Sequence, residues 1–167
     1  MELSDLVKER RSCRSYIKEE VLKEDIEKIV ECALFAPSWK NSQTARYYVA
    51  LDQKTIDVVY NCLPDFNQNS SKNASYIIAT FKKGISGSGD DNWGCYDLGL
   101  QNSYLILKAK ELGYDTLIMG LRDEKELRKI FNIPDDEIML PVIAIGKRKE
   151  NPGLRPRKQL NEVLTIK

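Results

Sequence analysis

"RRSCRSY", residues 10–16, crowds Arg10, Arg11 and Arg14 around Ser12 and Cys13. The chain as a whole carries a net charge of +1, so this is a local concentration of guanidinium groups and not general basicity. Three explanations compete: a solvated helix end, a nucleic-acid patch and a phosphate pocket. A cation at a helix C-terminus is mildly favoured by the dipole, which accounts for Arg10. It accounts less well for Arg14, beyond the helix, or for Ser12 between the arginines. Arginine's planar fork pairs bidentately with phosphate, and a serine hydroxyl adds a compact donor. On these residues alone, phosphate pocket and solvated surface stay equally open.

Composition narrows the field. A chain of 167 residues suits one ordinary domain, so we expect a single domain over 1–167. No apolar run approaches the roughly 20 residues that span a bilayer. The opening "MELSDLVKER" is acidic-basic and amphipathic, unlike a signal peptide, so the expected location is cytoplasmic, with no membrane partner. Near-neutrality argues against nucleic acid, which normally meets a basic excess or a basic face. The four cysteines (Cys13, Cys32, Cys62, Cys95) form no C-x-x-C, so we read free buried thiols and expect no metal. Histidine is absent. That removes Ser-His-Asp and Cys-His nucleophiles and H-E-x-x-H zinc sites, and it makes cofactor chemistry the natural expectation for an enzyme.

Hydrophobic periodicity predicts a short helix over 3–10, with Leu3, Leu6 and Val7 on one face. Val21, Leu22, Ile26, Ile29, Val30 and Ala33 predict a second helix ending before Pro37. "YYVAL" (47–51) reads as a strand, and Ile56, Val59, Tyr60 and Leu63 as a helix ending near Pro64. "YIIATF" (76–81) is a buried strand, "DTLIMG" (115–120) a short one, and "LPVIAIG" (140–146) the last core strand. The longest helix, about 94–112, is too apolar for one stripe, so it is central to the core or shared with a partner subunit. "DEKE" (123–126) resembles a capping box opening a helix through Leu127, Ile130 and Phe131. The irregular alternation points to an α+β architecture, with an extended C-terminal arm over 150–167.

Other segments carry weak signals. "APSWKNSQ" (36–43) is an ordinary polar loop, or one presenting amide groups to a planar heterocycle. "FNQN" (66–69) is equally a helix cap or a ligand contact. "GISGSG" lacks phosphate-loop spacing and reads as a mobile connection or lid. "RPR" (155–157), taken alone, reads as a disordered basic tail.

Taken together, "RRSCRSY", "APSWKNSQ", "FNQN", "YDLGLQN" and "RPR" resemble, in order and spacing, the FMN-dependent nitroreductase family across nearly the whole chain. The resemblance implies a central, mostly antiparallel sheet flanked by helices, and a homodimer with FMN at the interface and the arm wrapping the partner. It assigns Arg10, Arg11, Ser12 and Arg14 to the FMN phosphate and ribityl chain. Pro37, Ser38, Trp39 and Asn41 would face the flavin ring, and Asn67 would bond the ring or ribityl. Backbone amides at Met119 and Gly120 would reach flavin N5, and Arg155 and Arg157 would return to the phosphate. An arm over 151–167 reaches on the order of 50 Å, enough to wrap a partner.

The implied activity is ping-pong electron transfer from NADH or NADPH, through flavin, to a nitroaromatic, quinone or similar small-molecule acceptor. No protein acid or base is then required, which fits the missing histidine. Two features depart from the family pattern. Trp39 stands where many members carry a second serine, and either meets substrate or packs on the partner. The segment "KKGISGSGDDNWG" (82–94) is short where longer members insert helices over the flavin. The alternatives are therefore a flavoprotein of the same fold that dehalogenates reductively or fragments flavin, and one that only binds FMN.

Overall fold

The computed structural model describes residues 2–85 and 91–167. Its centre is β2, Ser75–Lys82, a run apolar on both faces and therefore suited to a strand covered from both sides. It pairs antiparallel with β1, Ala45–Ala50, on one side and with β4, Glu137–Gly146, on the other. β4 in turn pairs antiparallel with β3, Asp115–Met119, giving the order β1-β2-β4-β3.

Alternation along the strands sorts the core into two layers. Tyr76, Ile78, Leu117, Met119, Val142 and Ala144 pack on one face with Val59 and Leu63. Val59 belongs to α3, Gln53–Asn61, and Leu63 follows it. Ile77, Ile143 and Ile145 pack on the other face with Ile26 and Ile29 of α2, Lys23–Leu34, and with Leu105 and Ala109 of α5, Asn92–Glu111. Fully burying one such aliphatic side chain contributes about 1.5–3 kcal/mol. The expected α+β fold, a sheet flanked by helices, is what the chain adopts.

α5 is central, as its all-round apolarity predicts, yet it also buries Asp97, Gln101 and Asn102. Its end is set by Gly113 at φ +87, with Gly113 N–H donating to Lys110 O and Tyr114 N–H to Ala109 O. That is the paired bonding of a Schellman stop, and the left-handed backbone there favours glycine.

Three local readings change. α1, Leu3–Glu9, buries Leu6 but leaves Leu3 and Val7 exposed. "FNQN" lies inside a helix of its own, α4, Asp65–Ser71, which has no apolar periodicity to announce it. At α6, Glu124–Phe131, Asp123 caps the Glu126 amide. The expected reciprocal half of that box is replaced, because the Asp123 amide donates to Cys62 O at 2.7 Å.

Residues 151–167 contain one short turn, Leu160–Glu162, and no strand. Leu154, Leu160, Val163, Leu164 and Ile166 of this segment are exposed. Residues 86–90, most of the "GISGSG" connection, lie outside the described residues. Among the described residues, no helix is long and apolar enough to cross a membrane.

Candidate functional site

The arginine stretch is threaded along the outer edge of β3. Cys13 N–H donates to Thr116 O at 2.9 Å, Ile17 N–H to Lys147 O at 3.0 Å, and Lys149 N–H to Ser15 O at 2.8 Å. Cys13 and Tyr16 are 1% and 3% exposed and turn inward. Arg10, Arg11, Ser12 and Arg14 are left at the surface or half-buried. Gly146 makes room for the Tyr16 ring, since a Cβ there would sit 3.0 Å from Tyr16 Cδ1. Burial pushes the Cys13 thiol up, so it stays a neutral core group and is no nucleophile. All four cysteines are free; Cys13 and Cys62 are buried as expected, whereas Cys32 is half-buried and Cys95, on α5, is exposed.

Outside this seam the two basic motifs meet. Arg10, Arg11, Ser12 and Arg14 line a cavity of about 230 Å³ together with Arg155 and Arg157, and Pro152 and Gly153 complete its wall. Residues some 140 positions apart thus face one volume, with no carboxylate among its walls. Among the described residues, the guanidinium bonds of three of these arginines go to backbone carbonyls: Arg11 to Lys8 O and Arg10 O, Arg14 to Ser12 O, and Arg157 to Arg155 O and Pro156 O. Arg11 Nε is buried with no acceptor among the described residues. Five cations without an acid, one with an orphaned donor, suit an anion of high charge density. A phosphate monoester fits that donor set.

β3 carries this edge on to a second feature. In an antiparallel ladder, alternate residues direct their backbone groups to opposite edges. Thr116 O serves Cys13 on the outer edge, so Ile118 and Gly120 face outward too. Met119, opposite Val142, faces β4. Of the two amides expected at the flavin, that of Met119 is therefore turned into the sheet, and Gly120 follows at the next outward position of the alternation. Pro141 stands next along β4 and has no N–H, which ends the ladder there.

Gly120 also lines an apolar groove of about 460 Å³ with Leu98 and Asn102 of α5, Ile118, Leu140, Pro141 and Arg122. Asn102 Oδ1 and Arg122 Nε are buried there without partners among the described residues. Asn67 is 8% exposed, and its Nδ2 donates to Leu121 O at 3.3 Å, beside Gly120. The link from α4 to this loop was not legible in the sequence.

Pro37, Ser38, Trp39 and Asn41 lie apart and line neither volume. Trp39 N–H donates to the buried Asp97 carboxylate at 2.8 Å, and Gln43 N–H to Ser38 Oγ at 3.1 Å. Lys40, Asn41 and Gln43 all have positive φ. Three non-glycine residues in left-handed backbone within four positions are strained, and such strain clusters at functional sites. Lys40 Nζ lies 4.7 Å over the Trp39 ring. Within one chain, then, the expected residues fall into two groups: the arginine cavity with Gly120 and Asn67, and the Pro37–Asn41 loop.

A larger cavity, about 700 Å³, opens between the start of α3 and residues 18–20 and 72–76. Its walls mix Lys18 and Lys72 with Glu19, Glu20, Asp52 and Asp57, and it contains none of the expected site residues. Among the described residues, no group of three or more Cys, Asp or Glu side chains is placed to hold a metal ion.

Comparison with known proteins gives a consistent answer. A sequence model of the nitroreductase family matches residues 7–76 and 64–147. A protein of Archaeoglobus fulgidus, assigned as an NADH dehydrogenase/NAD(P)H nitroreductase, is 28% identical over 145 residues, covering 84% of this chain and 82% of its own. A nitroreductase family protein from Clostridium difficile superposes with a TM-score of 0.84 at 22% identity, covering 99% of this chain and 98% of that one. A protein from Exiguobacterium sibiricum, assigned as a nitroreductase and solved in complex with FMN, superposes with a TM-score of 0.82 at 23% identity, over 100% of this chain and 98% of that one.

Proposed function

The chain belongs to the nitroreductase family, and from that premise we propose that it is an FMN-dependent oxidoreductase. It takes electrons from NADH or NADPH and delivers them to a nitroaromatic, quinone or similar small-molecule acceptor. The observation that carries this reading is the meeting of "RRSCRSY" and "RPR" around one acid-free cavity. The FMN complex of the Exiguobacterium sibiricum protein supports the choice of cofactor.

Arg10, Arg11, Ser12, Arg14, Arg155 and Arg157 would hold the phosphate and the ribityl chain. Each charge-assisted bond contributes about 1.5–3 kcal/mol, offset in part by ordering the side chains and the arm. Gly120 N–H, on the same strand edge, would donate to the ring, and Asn67 keeps that loop in position through Leu121 O. Bound FMN supplies hydride acceptance at N5 and electron return to the acceptor. The protein binds, orients and excludes water; no side-chain acid or base is assigned, in keeping with a chain that has no histidine. Donor and acceptor would use one face in turn, a ping-pong order.

The assembly we propose is a homodimer, with residues 1–167 as one domain. Two observations support it. None of Pro37, Ser38, Trp39 and Asn41 lines its own chain's arginine cavity, so a partner's loop is the natural source of those contacts. The arm exposes Leu154, Leu160, Val163, Leu164 and Ile166, an apolar surface suited to wrapping a second copy. Trp39, half-buried and anchored through its amide, would then lie near the partner's flavin. Free thiols agree with a cytoplasmic location.

The test is the visible spectrum of the purified protein and its bleaching by NADH or NADPH. A yellow protein that bleaches and is reoxidised by an added quinone is expected. A colourless protein that stays so with added FMN overturns the reading.

A further inference from the structure

Arg122, in the loop between β3 and α6, belongs to none of the sequence motifs. Its side chain is nevertheless only 14% exposed. Nη1 donates to Gly120 O, and Nη2 donates to Met139 O and to Glu124 Oε2, the last at 2.9 Å. Nε is buried without an acceptor among the described residues. Withdrawing a guanidinium from water is costly unless its bonds compensate, and one unmet donor makes the compensation incomplete. An arginine in a loop has an easy alternative in solvent. What the buried placement secures is the carbonyl of Gly120.

We infer that Arg122 is a positioning residue for the flavin ring, acting through Gly120, and that it favours binding of reduced over oxidised flavin. This rests on the FMN reading above. A free strand edge offers a ligand both N–H and C=O groups in alternation. With Gly120 O taken by Arg122, the Gly120 N–H is presented without its own carbonyl free beside it. A ring that gains negative charge on reduction then meets that donor without repulsion from the Gly120 carbonyl.

The surrounding charge acts in the same direction. Glu124 accepts from Arg122 at 2.9 Å and from Arg128 at 2.8 Å, so one carboxylate is shared by two guanidinium groups. That leaves an excess positive charge on the partly buried Arg122 and Arg128 side chains, near the exposed Gly120. Arg128 supplies the contrast. It binds the same carboxylate, and its other bonds go to Pro134 O and Glu137 O, none to Gly120.

The experiment compares FMN-loaded wild type with Arg122→Met and Arg128→Met. It measures FMN affinity, the flavin midpoint potential by equilibration with reference dyes, and thermal stability. Both variants should melt lower, because both release α6 from β4. Arg122→Met alone should bind reduced FMN at least tenfold more weakly relative to oxidised FMN, a fall of about 30 mV in the two-electron midpoint. An unchanged midpoint in Arg122→Met overturns the inference, as does an equal fall in Arg128→Met, which would make the effect one of general loosening. If Arg122→Met does not fold, Arg122→Gln is read against the same two outcomes. A wild type that takes up no FMN overturns the family-based function as well, and is told apart by the first measurement.

Discussion

The backbone N–H of Cys13 donates to the carbonyl of Thr116 at 2.9 Å, joining the arginine stretch to the strand that ends beside Gly120. Gly120 stands four positions beyond Thr116, about 13 Å at ~3.3 Å per residue. The proposed phosphate clamp and ring donor would thereby be set along one edge at a fixed spacing. The relation depends on β3 lying at the border of the sheet with its outer side available to the incoming chain.

Arg10→Ala should weaken FMN binding at least tenfold while far-UV circular dichroism and the urea midpoint stay close to wild type. Losing one charge-assisted bond is worth about 1.5–3 kcal/mol. Arg11→Ala should do less, because Arg11 Nη1 is occupied by Lys8 O and Arg10 O. A fluorescence titration of FMN against both variants checks the order; equal affinities for wild type and Arg10→Ala would remove the phosphate assignment.

Truncation after Glu150 should abolish both FMN retention and dimerisation, read by absorbance and sedimentation velocity. The double variant Arg155→Ala/Arg157→Ala separates the two roles of the arm. It should lose FMN and remain dimeric, because the apolar residues from Leu160 to Ile166 are untouched.

Asp97→Ala should cost about 1–3 kcal/mol in urea unfolding, since it leaves the Trp39 amide without its acceptor. Asp97→Asn, which keeps an oxygen there, should cost less. Trp39 fluorescence should change in the alanine variant, and an unchanged spectrum would mean the loop is held by other contacts.

Stability should fall on the alkaline side. Burial, together with a hydrogen bond to the Glu137 carboxylate, pushes Tyr48 up to about 12, and burial pushes Tyr76 up to about 12. An unfolded tyrosine titrates near 10. The folded state holds the proton more tightly, so this contribution is complete below pH ~10 and is lost as pH rises through 12. Melting temperatures measured from pH 9 upward should decline over that window, and Tyr76→Phe should decline less steeply.

Much of the fold was legible because its core elements have strong periodicity. "YIIATF" is apolar at every position but Thr80, and α2 repeats its apolar residues at helical spacing. α4 was not, because "DFNQNSS" buries only Asn67 and Ser71, and Asn67 is buried through a carbonyl 54 residues away. The arginine motifs were legible as types, but not their meeting. Asp97 lay within "YDLGLQN" with no role legible for it, a carboxylate in a helix, and Arg122, a loop arginine, gave no signal.

The sequence by itself determined the core strands, most of the helices that cover them, the absence of imidazole chemistry and the two basic motifs. These are local matters of composition and period, written in consecutive residues. Only the tertiary structure decided the antiparallel pairing of the strands, that Met119 turns its backbone groups toward β4, that Arg122 takes the Gly120 carbonyl, and that the Pro37–Asn41 loop does not line the arginine cavity. Each depends on the register between segments distant in the chain, and a shift of one residue would turn every backbone group to the opposite edge.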